Sequence, residues 1–63
     1  MMTISEVHAS AVRIQDDLDD LRDQLEHSDS SPYVKSHLAR EISESRARIA
    51  QVIRECAPAL AVT

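Results

Sequence analysis

The first half of the chain carries a regular pattern of apolar positions. They recur at alternating spacings of three and four residues, at Ile4, Val7, Ala11, Ile14, Leu18, Leu21 and Leu25. This spacing places them along one narrow face of an α-helix, and such a face needs a partner helix over its whole length. Thr3 and Glu6 have the spacing of a capping box, which marks the beginning of a helix. We therefore predict a first helix over residues 4–27.

A polar break separates this helix from a second apolar pattern. The run Ser-Asp-Ser-Ser-Pro at 28–32 favours a turn, and Ser31 followed by Pro32 is typical of the N-cap and first position of a helix. Pro58 disfavours helical backbone at Ala57. We predict a second helix over residues 32–57 and a short apolar tail over 58–63. The apolar positions of this second helix are Val34, Leu38, Ile42, Ile49, Val52, Ile53 and Cys56.

Together these elements predict a single all-α domain over residues 1–63, folded as an antiparallel two-helix hairpin. A turn of this length makes the two helices neighbours, and folding the chain about residues 29–30 pairs positions whose numbers sum to 59 or 60. Leu21 then meets Leu38, and Ile14 faces Ser45. The chain contains no Gly, Phe or Trp, which argues against a β-sandwich or barrel and against glycine-rich nucleotide sites.

A hairpin of 63 residues has too small a core to be stable by itself. Its single cysteine provides no intramolecular disulfide, so we expect it to associate with a second copy as a homodimeric four-helix bundle. The predicted interface is a widened apolar patch at the open end of the hairpin, away from the turn. It consists of Ile4, Val7, Ala11, Val12, Ile49, Val52, Ile53, Cys56 and Leu60.

Acidic residues are concentrated on the first helix. The chain holds 11 acidic and 7 basic residues, a net charge of −4, which disfavours binding to nucleic acid or to an anionic membrane. We predict an acidic recognition surface formed by Asp16, Asp17, Asp20 and Asp23. The ordinary alternative is a solvated helix face, whereas a functional surface would recognise a basic partner, including by imitation of DNA phosphates.

The sequence offers no convincing catalytic, metal or cofactor site. His8, His27 and His37 lack the spacing of three or four residues that paired helical metal ligands have, although Asp23 and His27 share a helix face. Cys56 lies on an apolar face, where a thiol usually acts as a small hydrophobe. A two-helix chain is also not expected to hold a pocket of a few hundred cubic ångströms. We therefore expect a protein that is not an enzyme and that binds neither metal nor cofactor.

No apolar run approaches the roughly 18 residues of a membrane span, and the unpaired cysteine indicates a reducing compartment, so we expect a cytoplasmic protein. The predicted architecture is similar to that of plasmid RNA-binding hairpin dimers, although the exposed aromatic and basic face of that group is missing here. It is also similar to small hairpin co-chaperones of secretion systems. We expect a small protein-binding regulator, an inhibitor or adaptor. The alternatives are a structural assembly subunit, a secretion-type co-chaperone or an acidic nucleic-acid mimic.

Overall fold

Two long helices account for nearly all of the computed structural model, which describes residues 2–62. The first helix, α1, spans Ile4–Glu26, and the second, α2, spans Pro32–Val62. At the beginning of α1 the Thr3 hydroxyl accepts a hydrogen bond from the backbone N–H of Glu6, with an N–O distance of 3.2 Å. This contact satisfies a backbone donor that the first helical turn leaves without a partner. The predicted beginning of the first helix is therefore confirmed.

The turn between the helices is held by local polar contacts. At the end of α1 the Ser28 hydroxyl donates to the carbonyl oxygen of Leu25 over 2.7 Å. At the beginning of α2 the Ser31 hydroxyl accepts from the backbone N–H of Val34 over 3.3 Å, and Pro32 is the first helical residue. Ser31 and Pro32 therefore occupy the cap and first positions that their sequence predicts.

The sequence predicted that the second helix ends before Pro58. In the structure α2 instead continues through Pro58 to Val62. Proline inside a helix lacks one backbone donor and crowds the carbonyl of the preceding turn, at a cost of about 3 kcal/mol. The residues around it favour helix, because Ala57, Ala59 and Leu60 have high helix propensity. Leu60 is also half-buried, which favours continuation. The apolar tail is thus part of α2 as far as Val62, and Thr63 lies outside the described residues.

The helices pack along each other as a long, thin hairpin. Its extents are 48 × 16 × 15 Å and its radius of gyration is 14.7 Å. A globular domain of this length has a radius of gyration of about 11 Å. Among residues 2–62 only Ala11, Ile42 and Cys56 are buried. The buried core of the described residues therefore consists of a few side chains along the axis of the hairpin.

The packed faces are rotated relative to the predicted seam. Ile14, Leu21 and Leu38 were expected to face the opposite helix, yet they are 44%, 48% and 41% exposed. Polar residues such as Gln15 and Arg46 are instead half-buried. Two helices in contact cover only part of each apolar face, so the remaining residues of the seam lie along one edge of the contact. The opposite helix therefore covers this part of the seam only in part, although Leu21 and Leu38 do line the same groove.

Candidate interaction surface

One side of the hairpin presents exposed apolar side chains from both helices. We call this set the apolar stripe. It runs from the turn to the open half of the molecule, and each of its side chains is at least 36% exposed. Its members are Ile14, Leu21, Val34, Leu38 and Val52.

Helical geometry explains why these residues share a side. At about 100° per residue, Leu21 lies some 80° around α1 from the buried Ala11. Leu38 and Val52 lie about 40° and 80° around α2 from the buried Ile42. Because the helices are antiparallel, these rotations turn both sets of side chains toward the same side of the hairpin. Val12 lies about 100° from Ala11 in the other direction and so belongs to the opposite side.

A groove opens within the stripe near the turn. It has a volume of about 400 Å³ and is lined by Leu21, Gln24, Leu25, Ser28, Leu38, Glu41 and Ile42. The expectation that a two-helix chain holds no pocket of this size is therefore wrong. The groove is open to solvent and mainly apolar, so its chemistry suits an apolar side chain from another helix.

The opposite side of the hairpin is polar and is bridged by an ion pair between the helices. The Arg46 Nε donates to one carboxylate oxygen of Asp19 over 2.6 Å, and the Nη2 donates to the other over 3.4 Å. This hydrogen bonding lowers the pKa of the Asp19 carboxyl below its usual value and raises the pKa of Arg46. The Lys35 ammonium donates to the Glu26 carbonyl oxygen over 2.9 Å. These contacts lie on the side of the hairpin opposite the stripe.

His27 ends α1 with a second polar contact. Its Nδ1 lies 2.8 Å from the backbone carbonyl oxygen of Asp23 and 3.7 Å from the Asp23 carboxylate. The backbone hydrogen bond raises the pKa of His27 above its usual 6.5, and the negative charge of Asp23 adds to that effect. A protonated imidazole is favourable here because the last carbonyls of a helix carry partial negative charge.

The residues predicted at the open end of the hairpin fall into different environments. Ala11 and Cys56 are buried between the helices at 4% exposure, so the hairpin itself covers them. Half-buried positions are Val7, Ile49, Ile53 and Leu60, and exposed positions are Ile4, Val12 and Val52. Of this set only Val52 belongs to the stripe. The sequence interpretation missed Ile14, Leu21, Val34 and Leu38 as exposed residues, because their spacing is also that of a covered seam.

The predicted acidic surface lies on the outer side of α1. Asp16, Asp17, Asp20 and Asp23 are all exposed. Asp23 contacts His27, as described above, whereas Asp17 lies next to the stripe. The structure thus brings the four carboxylates onto one solvent-facing surface of a single helix, in the half of the hairpin nearer the turn.

The accessible surface of the chain exceeds that of a compact monomer. It amounts to 4896 Å². Folded monomers follow a scaling with mass that gives roughly 4,000 Å² for a chain of 7.0 kDa. The hairpin therefore exposes about 900 Å² more than a globular protein of its size, and the side chains of the stripe contribute to its exposed surface.

Within residues 2–62, His, Cys, Asp and Glu side chains form no group of three or more that would hold a metal ion. Neither α1 nor α2, over the part that the structure describes, is long and apolar enough to cross a membrane. The thiol of Cys56 is free and buried.

No protein-family model, curated protein or solved structure matches this chain.

Proposed function

We propose that the protein is a small, non-enzymatic, protein-binding regulator that works as a homodimer in the cytoplasm. In this proposal two hairpins cover each other's apolar stripes and form a four-helix bundle. The outer surface of α1 then remains in solvent and binds a basic region of a target protein. The protein would act as an inhibitor or adaptor through these two surfaces.

The observation that carries the proposal is the exposed stripe together with the excess surface. A stable protein interface buries about 800 Å² on each partner, which is close to the roughly 900 Å² by which the hairpin exceeds a compact monomer. An apolar surface that extends from Val34 to Val52, about 27 Å along α2, is unfavourable in water. A second hairpin has the same length and a matching stripe, so dimerisation removes the excess with one contact.

Substitution within the stripe tests the dimer. We expect the double variant Leu21→Gln and Leu38→Gln to raise the dissociation constant at least about 100-fold, because four half-exposed leucines per dimer lose their burial. Sedimentation equilibrium over a range of concentrations measures this constant. If the variant unfolds when it dissociates, its Tm will rise with protein concentration, and the loss is measured from that dependence.

Tyr33→Gln is the matched control for that variant. Tyr33 is a large, 81% exposed residue about 180° around α2 from Ile42, and so faces away from the stripe. Its substitution is expected to leave the dissociation constant within about threefold of the wild type. Equal dissociation constants for the wild type and the leucine double variant would contradict the proposed dimer.

Substitutions in the acidic surface distinguish a regulatory protein from a purely structural one. In a structural assembly subunit or a secretion-type co-chaperone the α1 carboxylates would serve only solubility. Replacing Asp16, Asp20 and Asp23 by Asn leaves the stripe intact, so the dimer mass should not change. We expect the wild type to bind a basic target protein in a titration, and this variant to show no binding in the same titration. Retained binding would favour the structural role, and binding competed by DNA would favour nucleic-acid mimicry.

A further inference from the structure

The two ends of the hairpin carry opposite net charge. The half nearer the turn, residues 16–44, holds nine acidic and three basic residues, a net charge of −6. The open half, residues 1–15 and 45–63, holds two acidic and four basic residues, a net charge of +2. The ion pair between Asp19 and Arg46 joins the halves and leaves −5 and +1 unpaired. When two hairpins lie side by side, their charges attract only if the hairpins point in opposite directions. The acidic end of each then lies next to the basic end of the other.

Two members of the stripe on α2, Leu38 and Val52, lie at equal distances from its middle. Leu21 and Leu38 line the same groove, and the same offset between the helices places Ile14 level with Ser45. Leu38 and Val52 each lie seven residues from Ser45, about 10 Å along α2 in opposite directions. If a second hairpin is turned end for end about this middle layer, its Val52 lies level with the leucines that line the groove.

Two charged residues at the border of the stripe also lie at nearly equal distances from Ser45, on opposite sides of it. Glu41, which also lines the groove, lies four residues from Ser45 toward the turn. Arg48 lies three residues from Ser45 toward the open end, and both residues are exposed. In the reversed orientation the Glu41 of each copy lies level with an Arg48 of the other, within about 2 Å along the axis. Side by side in the same direction, the Glu41 of each copy would instead lie level with the Glu41 of the other.

From these three observations we infer that the occupant of the apolar stripe is a second copy of this chain docked antiparallel. The Val52 end of each hairpin covers the Leu21–Leu38 groove of the other, and Glu41 pairs with Arg48 across the interface. The inference rests on the proposed dimer and adds its orientation. It also assigns Glu41 and Arg48 as the residues that select that orientation, since a parallel dimer would oppose two acidic ends.

A distance measurement between the two turns tests the orientation. In a variant with Cys56→Ala and Ser30→Cys, a nitroxide label on the exposed turn reports the separation by pulsed electron paramagnetic resonance. Antiparallel docking predicts a separation close to the 48 Å length of the hairpin. Parallel docking predicts about 20 Å, the width of a bundle of four helices. Dilution with unlabelled chain must abolish the signal, which shows that it arises between chains.

Each result has a distinct meaning. A separation near the hairpin length supports the antiparallel arrangement. A short separation in a dimer of confirmed mass overturns the orientation but leaves the proposed dimer standing. No coupling, with a monomer mass by light scattering, overturns both.

Charge reversal provides an independent readout of the same arrangement. Glu41→Arg alone and Arg48→Glu alone should each raise the dissociation constant at least about tenfold, because each creates like charges across the interface. The double reversal recreates the pairs with exchanged signs and should return the constant to within about threefold of the wild type. A double variant that binds no better than the single variants would rule out this pairing.

Discussion

At the residue scale, small side chains bring the two helices together. The two least exposed residues are Ala11 on α1 and Cys56 on α2, both 4% exposed. Short side chains at such positions let helix axes approach, and the larger neighbours then pack around the contact. Within residues 2–62, Ile42 is the one large aliphatic residue that the hairpin buries. The stability of the hairpin therefore depends on very few residues.

Ile42 is accordingly the most sensitive aliphatic position. We predict that Ile42→Val lowers the free energy of unfolding by about 0.5–1.5 kcal/mol, because one buried methylene is lost and a small cavity remains. Val62→Ala, a comparable truncation at an exposed position, should change it by less than about 0.5 kcal/mol. Urea denaturation at a fixed protein concentration measures both. Equal effects of the two substitutions would show that Ile42 is not a core residue.

His27 makes stability depend on pH. Its pKa is raised in the folded state by the hydrogen bond to the Asp23 carbonyl oxygen. The stabilisation is therefore fully present below the unfolded pKa of 6.5 and is lost as the pH rises through the higher folded pKa. We predict that the urea midpoint of the wild type exceeds that of His27→Gln at pH 5.5, and that the difference shrinks at pH 8.5.

Asp23→Asn is the control for this effect. It removes the carboxylate but keeps the backbone carbonyl, which is the larger cause of the raised His27 pKa. An NMR titration of His27 should therefore still give a pKa above 6.5 in this variant. A return of the His27 pKa to 6.5 would show that the carboxylate, rather than the end of the helix, is responsible.

Residue-level features were predictable from sequence where their chemistry is local. The caps at Thr3 and Ser31 depend on contacts three residues apart, so their identity and spacing were sufficient. The exposure of Leu21 and Leu38 was not predictable in the same way. It depends on how far each helix is rotated about its axis, and that rotation is associated with the ion pair between Asp19 and Arg46, residues far apart in sequence.

At the element scale, each helix follows from its apolar spacing, whereas its end depends on competing effects. The end of α1 coincides with the polar residues of the turn, and the sequence predicted it to within one residue. The end of α2 was predicted from Pro58 alone. The helix-forming residues on both sides of that proline, and the half-burial of Leu60, outweigh its penalty.

The proline nevertheless weakens the last turns of α2. We predict that Pro58→Ala raises the free energy of unfolding by about 1–3 kcal/mol, since it restores a backbone donor and removes crowding. Far-ultraviolet circular dichroism should change little, because the helix already reaches Val62. Pro32→Ala is the matched control and should have the opposite sign, a loss of up to about 1 kcal/mol, because proline suits the first helical position. A large gain of helical signal in Pro58→Ala would contradict helix beyond residue 57.

At the scale of the whole molecule, the hairpin has two unlike sides and two unlike ends. The ion pair between Asp19 and Arg46 lies on one side and the apolar stripe on the other, while charge changes sign from the turn to the open end. Sequence reasoning predicted the hairpin, which the structure confirms. Its association with a second copy through a patch at the open end stays a prediction, and the exposed stripe extends over both halves because one neighbouring helix covers only part of each apolar face.

This distribution of charge makes association sensitive to salt. An antiparallel dimer brings opposite charges together, and the Debye length shortens from about 10 Å at 0.1 M to about 3 Å at 1 M salt. We predict that the dissociation constant rises several-fold over that range. The variant carrying both Glu41→Gln and Arg48→Gln should show a smaller dependence. A dissociation constant that falls with added salt would indicate that like charges meet in the dimer.

The central claim is that the exposed stripe is covered by a second hairpin, and the molar mass of the wild-type chain tests it most directly. Light scattering behind size exclusion, repeated over a wide range of concentrations, should give about 14 kDa, twice the 7.0 kDa of one chain, with dissociation only on dilution. A mass of 7.0 kDa at all concentrations up to about 1 mM would mean association weaker than about −4 kcal/mol. The stripe would then not be a homodimer interface.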